Sequence, residues 1–250
     1  MPTVVVTGAR GAIGSATVAV LEKRGVRVIP LTRPSFDLSS QLSVRAAARE
    51  LNRAGGHIDA LLNIAAAFVP KYQRSADGLE LMLATNHLGP FLLTNLLRER
   101  LIGGGRVINV TAPSATRVDI DTLLDRYRFN AMHSFGASKA ANLLFTLELA
   151  RRAKRWDIRA NAFHPGLVRS ELMRSAPAPV RILTRLVSGN PSRAAHDLAD
   201  LAISPAFAGT TGWFFKGARQ IDPPKPAQDI GAQSTLWKRS AELVELEGGF

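Results

Sequence analysis

The sequence predicts an α/β protein: a single Rossmann-type, doubly wound parallel sheet flanked by helices. Three observations carry that prediction. Short apolar runs alternate with segments of helical period from the first residues onward. A glycine-rich turn joins the first run to the first helical segment. The first run, VVVT (4–7), is apolar enough to be a buried strand. At 250 residues the chain is long for one domain but within reach of one α/β core. No repeat, low-complexity tract or linker divides it, so residues 1–250 are expected to form one domain. An irregular excursion is expected at about 171–191, and a tail at about 217–250.

Each element follows from its residues. VVVT (4–7) is a buried strand, and Ile13, Ala16, Thr17, Val20 and Leu21 then recur at helical spacing until Gly25 ends the helix. Val26 to Leu31 is a second strand. A helix from about Leu42 to Ala54 stops at Gly55–Gly56, and Asp59 to Ile64 is the third strand. Residues 79–101 have the pattern of one long helix carrying Pro90, followed by the strand RVINV (106–110). A polar segment, 111–133, leads into a helix that holds Phe135 and Lys139. IRANAFH (158–164) is a further strand, stopped by Pro165–Gly166, and a short helix is expected near Trp237.

Composition closes several functional classes. Without cysteine there are no disulfides, thiolate nucleophiles or zinc–sulfur sites. His57, His87, His164 and His196 have no metal-ligand spacing with acids, so no metal is expected. The longest apolar stretch, ALLNIAAAFV (60–69), is too short to span a bilayer. The first strand begins too early to leave room for a signal peptide, and a cytoplasmic protein with no membrane contact is expected. The net charge of +12 invites a nucleic-acid reading. Its densest cluster, RRAKR (151–155), follows a helical run where cations complement the helix dipole, and no basic strip interleaved with aromatics accompanies it. No nucleic-acid partner is expected, whereas an anionic small molecule suits the charge.

TVVVTGARGAIG (3–14) is a strand, a glycine turn and a helix start. Such a turn lets backbone approach a pyrophosphate, which the free N–H groups and positive end of the helix then hold. The spacing of Gly8, Gly11 and Gly14 is G-x-x-G-x-x-G rather than the dehydrogenase G-x-G-x-x-G. The tip of the second strand selects the cofactor. An acid there grips the ribose of NAD, and an arginine accommodates the 2′-phosphate of NADP. The tip is Arg33, with Arg10 in the glycine loop as a second cation and no acid before Asp37. NADP(H) is the expected cofactor, with Asp37, in FDLSS, at the adenine.

These residues, with TGARGAIG, LLNIAAA (61–67), NHLGPFLLTNLL (86–97), RVINVTA (106–112), FGASK, FHPGLVRSEL (163–172) and TGWFFKGARQ with LWKRSAELVEL, resemble the short-chain dehydrogenase/reductase family over nearly the whole chain. The similarity is to its retinol-dehydrogenase-like branch, in which glycine usually stands where this chain has Ala12. The resemblance implies a dinucleotide held by Gly8, Arg10, Gly11, Ala12, Ile13, Gly14, Arg33, Asp37, Leu38, Asn63, Ala65, Ala66 and Lys139. It also implies contacts to the nicotinamide from Pro165, Gly166, Val168 and Ser170, and a dimer or tetramer. Asn86 falls at the family's active-site asparagine and Lys139 at its lysine.

Phe135, however, stands where the family has its proton-exchanging tyrosine, and Ala112 where it has the bracing serine. Two hydroxyls are lost together while the lysine is kept. Ser114, Thr111, His133 and Tyr127 are nearby groups that could stand in, of which His133 and Tyr127 are the pair to test. The expected function is an NADP(H)-dependent reductase of a small conjugated or ring-bearing substrate (a quinone, enone or imine), consistent with secondary metabolism. A non-redox cyclase or isomerase on the same scaffold, and an NADP-sensing binding protein without turnover, remain open.

Overall fold

The computed structural model describes residues 1–166, 168, 172 and 189–250. The excursion expected at 171–191 thus lies outside the described residues, apart from Leu172 and residues 189–191. Among the described residues, seven strands form one sheet: β1 (Thr3–Thr7), β2 (Arg27–Leu31), β3 (Ala60–Asn63), β4 (Arg106–Val110), β5 (Arg159–His164), β6 (Phe214–Lys216) and β7 (Arg219–Ile221). Their order is β2-β1-β3-β4-β5-β6-β7, with every neighbour parallel except the β6–β7 hairpin.

The strands are apolar because both faces are covered. Val5, Leu61, Val107 and Ala160, in register across four strands, face one core. Covering that face are α2 (Gln41–Ala54), α4 (Gly89–Leu96) and α7 (Ala131–Arg152), with α9 (Ile230–Leu243) packed outside them. Val4, Val6, Leu62 and Ile108 face the opposite core, under α1 (Ala12–Lys23) and α8 (Pro191–Ile203). This is the doubly wound sheet the sequence predicts.

The common dinucleotide-binding order is 3-2-1-4-5-6. Here loop 32–40 turns back from β2 straight into α2, and β3 then crosses to the far side of β1, leaving β2 as the sheet's edge. Arg27 N and Leu31 O both bond towards β1, so the alternate residue Pro30 points outward. Proline removes a donor only where the edge has no partner, which also discourages pairing with another chain.

Two expectations are corrected. The helix expected over 79–101 is broken into α3 (Leu81–Leu83), a wide π turn (Ala84–Leu88), α4 and α5 (Arg98–Leu101). Pro90 sits in the first turn of α4, where its missing N–H costs little, and Asn86 is carried on the π turn. The helix near Trp237 is fourteen residues long rather than short. Trp237 anchors it against Phe91 and Phe145, with ring centroids 4.9 and 5.8 Å away. The RRAKR cluster does end α7, and its cations are used within the fold. Arg151 and Arg152 pair with Glu148, and Arg152 also lies 4.6 Å over the Trp237 ring. Among the described residues no helix is long and apolar enough to cross a membrane.

Candidate active site

At the C-terminal end of β1, the Thr7 hydroxyl accepts hydrogen bonds from Ile64 N (3.1 Å) and Ala65 N (3.3 Å), clamping the exits of β1 and β3 together. The glycine turn follows. Gly8 has φ +70°, and a Cβ on it would lie 2.8 Å from Ala65 Cα. One on Gly14 would lie 2.1 Å from Gly8 O, so α1 can approach the turn only without a side chain there. Helix α1 starts at Gly11 with no side-chain cap and no acid in its first turn, which leaves its first N–H groups and positive end facing the cleft.

That cleft encloses about 990 Å³, and Gly8, Arg10, Gly11, Ala12, Ile13, Gly14, Arg33, Asp37, Leu38, Ala65 and Ala66 line it. Arg10 Nη1 donates to Arg33 O at 3.0 Å, which brings two guanidinium-bearing residues to one corner. Asp37 Oδ1 accepts from Ser39 N and Oγ, each at 2.8 Å, so this carboxylate is tied to its own loop. The cleft thus fits a dinucleotide: a glycine cradle for the pyrophosphate and a cationic corner at the ribose.

Asn63 does not line the cleft; its side chain turns into the sheet. Its Nδ2 donates to Asn109 Oδ1 (2.8 Å) and Thr94 Oγ1 (3.3 Å), and Asn109 Nδ2 donates to Thr146 Oγ1 (2.9 Å). Thr146 Oγ1 donates to Asn142 O (2.6 Å), and Asn142 Nδ2 to Asn86 O (2.5 Å). This buried chain ties β3 and β4 to α7 and the π turn. The Asn86 side chain closes the other end, exchanging bonds with Ala67 N and O (2.6 and 3.0 Å) and donating to Ser138 Oγ (3.0 Å). Its role is to lock the loop after β3 onto α7.

On α7, Phe135 and Lys139 lie one turn apart, with Lys139 Nζ 5.7 Å from the ring centroid. Lys139 is 6% exposed, and burial lowers its pKa to about 8, with no carboxylate among the described residues to offset it. Phe135 packs edge-to-face on Phe68 (5.6 Å) in a cluster with Met82, Val69, Phe129, Ala131 and Leu172, and Leu172 also lines the cleft. Tyr72 extends this aromatic wall, 5.7 Å from Phe129. Ala112 is half-buried at the exit of β4. The two suggested stand-ins are not drawn in. Tyr127 is 89% exposed with Arg126 over its ring, and His133 is exposed in the first turn of α7. Pro165 and Gly166 are half-buried at the exit of β5, Val168 bridges Gly189, and Ser170 lies outside the described residues.

Sequence reasoning missed Thr7, the asparagine chain and Glu80. The buried Glu80 carboxylate caps α3 by accepting from Met82 N (3.0 Å) and Leu83 N (2.7 Å), while burial raises its pKa. An asparagine inside each apolar strand, Asn63 and Asn109, was the readable sign of a buried polar link. Among the described residues, no group of His, Asp and Glu could hold a metal.

The comparisons with known proteins agree with this geometry. Residues 3–208 match the family model described as enoyl-(acyl carrier protein) reductase. Retinol dehydrogenase 13 of Homo sapiens is 32% identical over 98% of this chain and 85% of its own. A Streptomyces sp. (strain C5) protein bearing the name daunorubicin C-13 ketoreductase DnrU is 31% identical over 97% and 92%. A Mycobacterium paratuberculosis protein of known structure superposes with a TM-score of 0.81 at 28% identity, covering 100% and 96%. With its glycine cradle, its lysine helix and matches that run from end to end, the chain belongs to the short-chain dehydrogenase/reductase family.

Proposed function

We propose that this protein is an NADP(H)-dependent reductase of a small conjugated or ring-bearing substrate, a quinone, enone or imine, working without the family's phenol and serine hydroxyls. The observation that carries the reading is the juxtaposition of an apolar aromatic wall around Phe135 with a buried Lys139 that has no carboxylate partner among the described residues, near a cleft that fits a dinucleotide. When bound, the nicotinamide supplies hydride. The chain's own residues do the rest. The first turn of α1 and the glycine loop hold the pyrophosphate, Arg10 and Arg33 the 2′-phosphate, and Lys139 the nicotinamide ribose, whose hydroxyls satisfy its donors. Phe68, Phe129 and Phe135 exclude water and stack on a flat substrate.

Hydride addition to a simple ketone builds an alkoxide that needs a proton at once. General-acid help is worth roughly 10²–10⁴ in rate, and neither Phe135 nor Ala112 offers it. A quinone or enone spreads the charge over its conjugated system and takes its proton from water afterwards. Two relatives carry names that refer to ring-bearing molecules, retinol and daunorubicin. The test is incubation with NADPH or NADH and panels of ketones, quinones, enones and imines. Consumption of NADPH with the conjugated panels is expected; preference for simple ketones would overturn the mechanism. Substrate conversion without net NADPH consumption would favour a cyclase or isomerase instead.

A further inference from the structure

Beyond β4, burial alternates residue by residue. Ala112, Ser114, Thr116 and Val118 turn inward, whereas Pro113, Ala115, Arg117 and Asp119 face solvent. The first inward position, Ala112, has no hydroxyl, but the next two both carry one. Ser114 Oγ and Thr116 Oγ1 are hydrogen-bonded at 3.0 Å, and Thr116 N donates to Ser114 Oγ at 3.3 Å. The pair lies against Gly136, the residue after Phe135. A Cβ on Gly136 would sit 3.0 Å from Thr116 Oγ1 and 3.4 Å from Ser114 Oγ, so a side chain there would press the hydroxyls away from α7.

The loop's own needs account for only part of this arrangement. Ser114 Oγ serves the turn by accepting from Thr116 N. Two hydroxyls bring two protons, and one is shared between them. Among the described residues no acceptor takes the second, and both residues are only half-buried. A donor polarised by a neighbouring hydroxyl, against the helix residue that follows Phe135, suits an oxygen on which negative charge is growing.

We propose that the Ser114–Thr116 hydroxyl pair, admitted by Gly136, is the oxygen-binding subsite of the substrate pocket, donating the hydrogen bond that Ala112 and Phe135 cannot. The proposal rests on the reading of the cleft as a reductive site and names where that substrate's carbonyl or enolate oxygen lies. It shifts the oxygen from the face of residue 135 towards residue 136.

A pH titration of the full chain with 4-nitrophenol, a flat aromatic that ionises to a coloured oxyanion, tests this without hydride transfer. Bound to the wild type, the phenol is expected to ionise at lower pH than in solution. In Ser114→Ala/Thr116→Val the shift is expected to vanish and affinity to fall about 10- to 100-fold, the scale of a charge-assisted hydrogen bond. Ser114→Thr/Thr116→Ser keeps both hydroxyls and should keep the shift. Equal binding by Ser114→Ala/Thr116→Val, absence of binding to the wild type, or equal loss in the hydroxyl-retaining variant overturns the proposal. A wild type that shows the shift yet transfers no hydride from NADPH sinks the reductase reading and leaves the subsite standing.

Discussion

The glycine cradle and the aromatic cluster around Phe135 are held in place by different means. In the glycine cradle the constraint is backbone against backbone: Gly14 meets Gly8 O, and Gly8 meets Ala65, at separations no side chain tolerates. Around Phe135 the actors are side-chain groups, at 112 beyond the end of β4 and at 135 and 139 on α7, a helix that the asparagine chain and apolar packing secure independently. A backbone-built site changes only by breaking, but a site made of side-chain tips can lose its hydroxyls and keep its scaffold. On the proposed reading this chain is such a case, with the cradle and Lys139 kept and Phe135 standing where the family resemblance implies a phenol.

The sharpest way to probe that contrast is to restore the missing groups. Phe135→Tyr with Ala112→Ser should raise reduction of simple ketones by roughly 10²–10⁴, measured as NADPH consumption, because it returns a general acid and a bracing donor. If ketone reduction does not change, the wall is not arranged as the family resemblance implies. The reciprocal change in the cradle should damage the fold as well as binding. Gly14→Ala is expected to cost more than about 2 kcal/mol in chemical denaturation and to abolish dinucleotide binding, since a backbone carbonyl must move.

Specificity within the cradle is a smaller effect. Arg33→Ala should weaken NADPH by about 10- to 100-fold, read by titration, and leave NADH nearly unchanged, as a lost phosphate–guanidinium contact predicts. Equal weakening of both would place Arg33 elsewhere than the 2′-phosphate.

Lys139 gives the smallest change, and it is one of stability. Its pKa falls from 10.5 to about 8 on folding, so between those values the unfolded chain binds more protons and stability rises with pH. Below about pH 8 the buried ammonium is a constant cost. Lys139→Met should therefore stabilise the cofactor-free protein at pH 7 by about 1–3 kcal/mol and flatten the rise above pH 8, both read from thermal melts. A less stable variant would show that the ammonium has a partner that offsets its burial.

Local pattern and residue type made the strands, most helices, the glycine turn and the cationic strand tip readable. Period-2 and period-3.6 burial is a property of neighbours in the chain, and Gly8, Arg10 and Arg33 could be singled out by the backbone freedom or charge that residue type alone supplies. The expectation that two hydroxyls are missing likewise rests on the identities of Ala112 and Phe135 and on the family resemblance. What the sequence left open depended on distant segments. Only the tertiary structure decided that β3 crosses beside β1 and leaves β2 at the edge. It also broke the long helix at Ala84–Leu88, turned Asn63 away from the cleft, and left Tyr127 and His133 in solvent. Ser114 and Thr116 acquire meaning only against Gly136, about twenty residues on, because a hydrogen bond depends on atoms meeting within about 3 Å and spacing in sequence does not fix that.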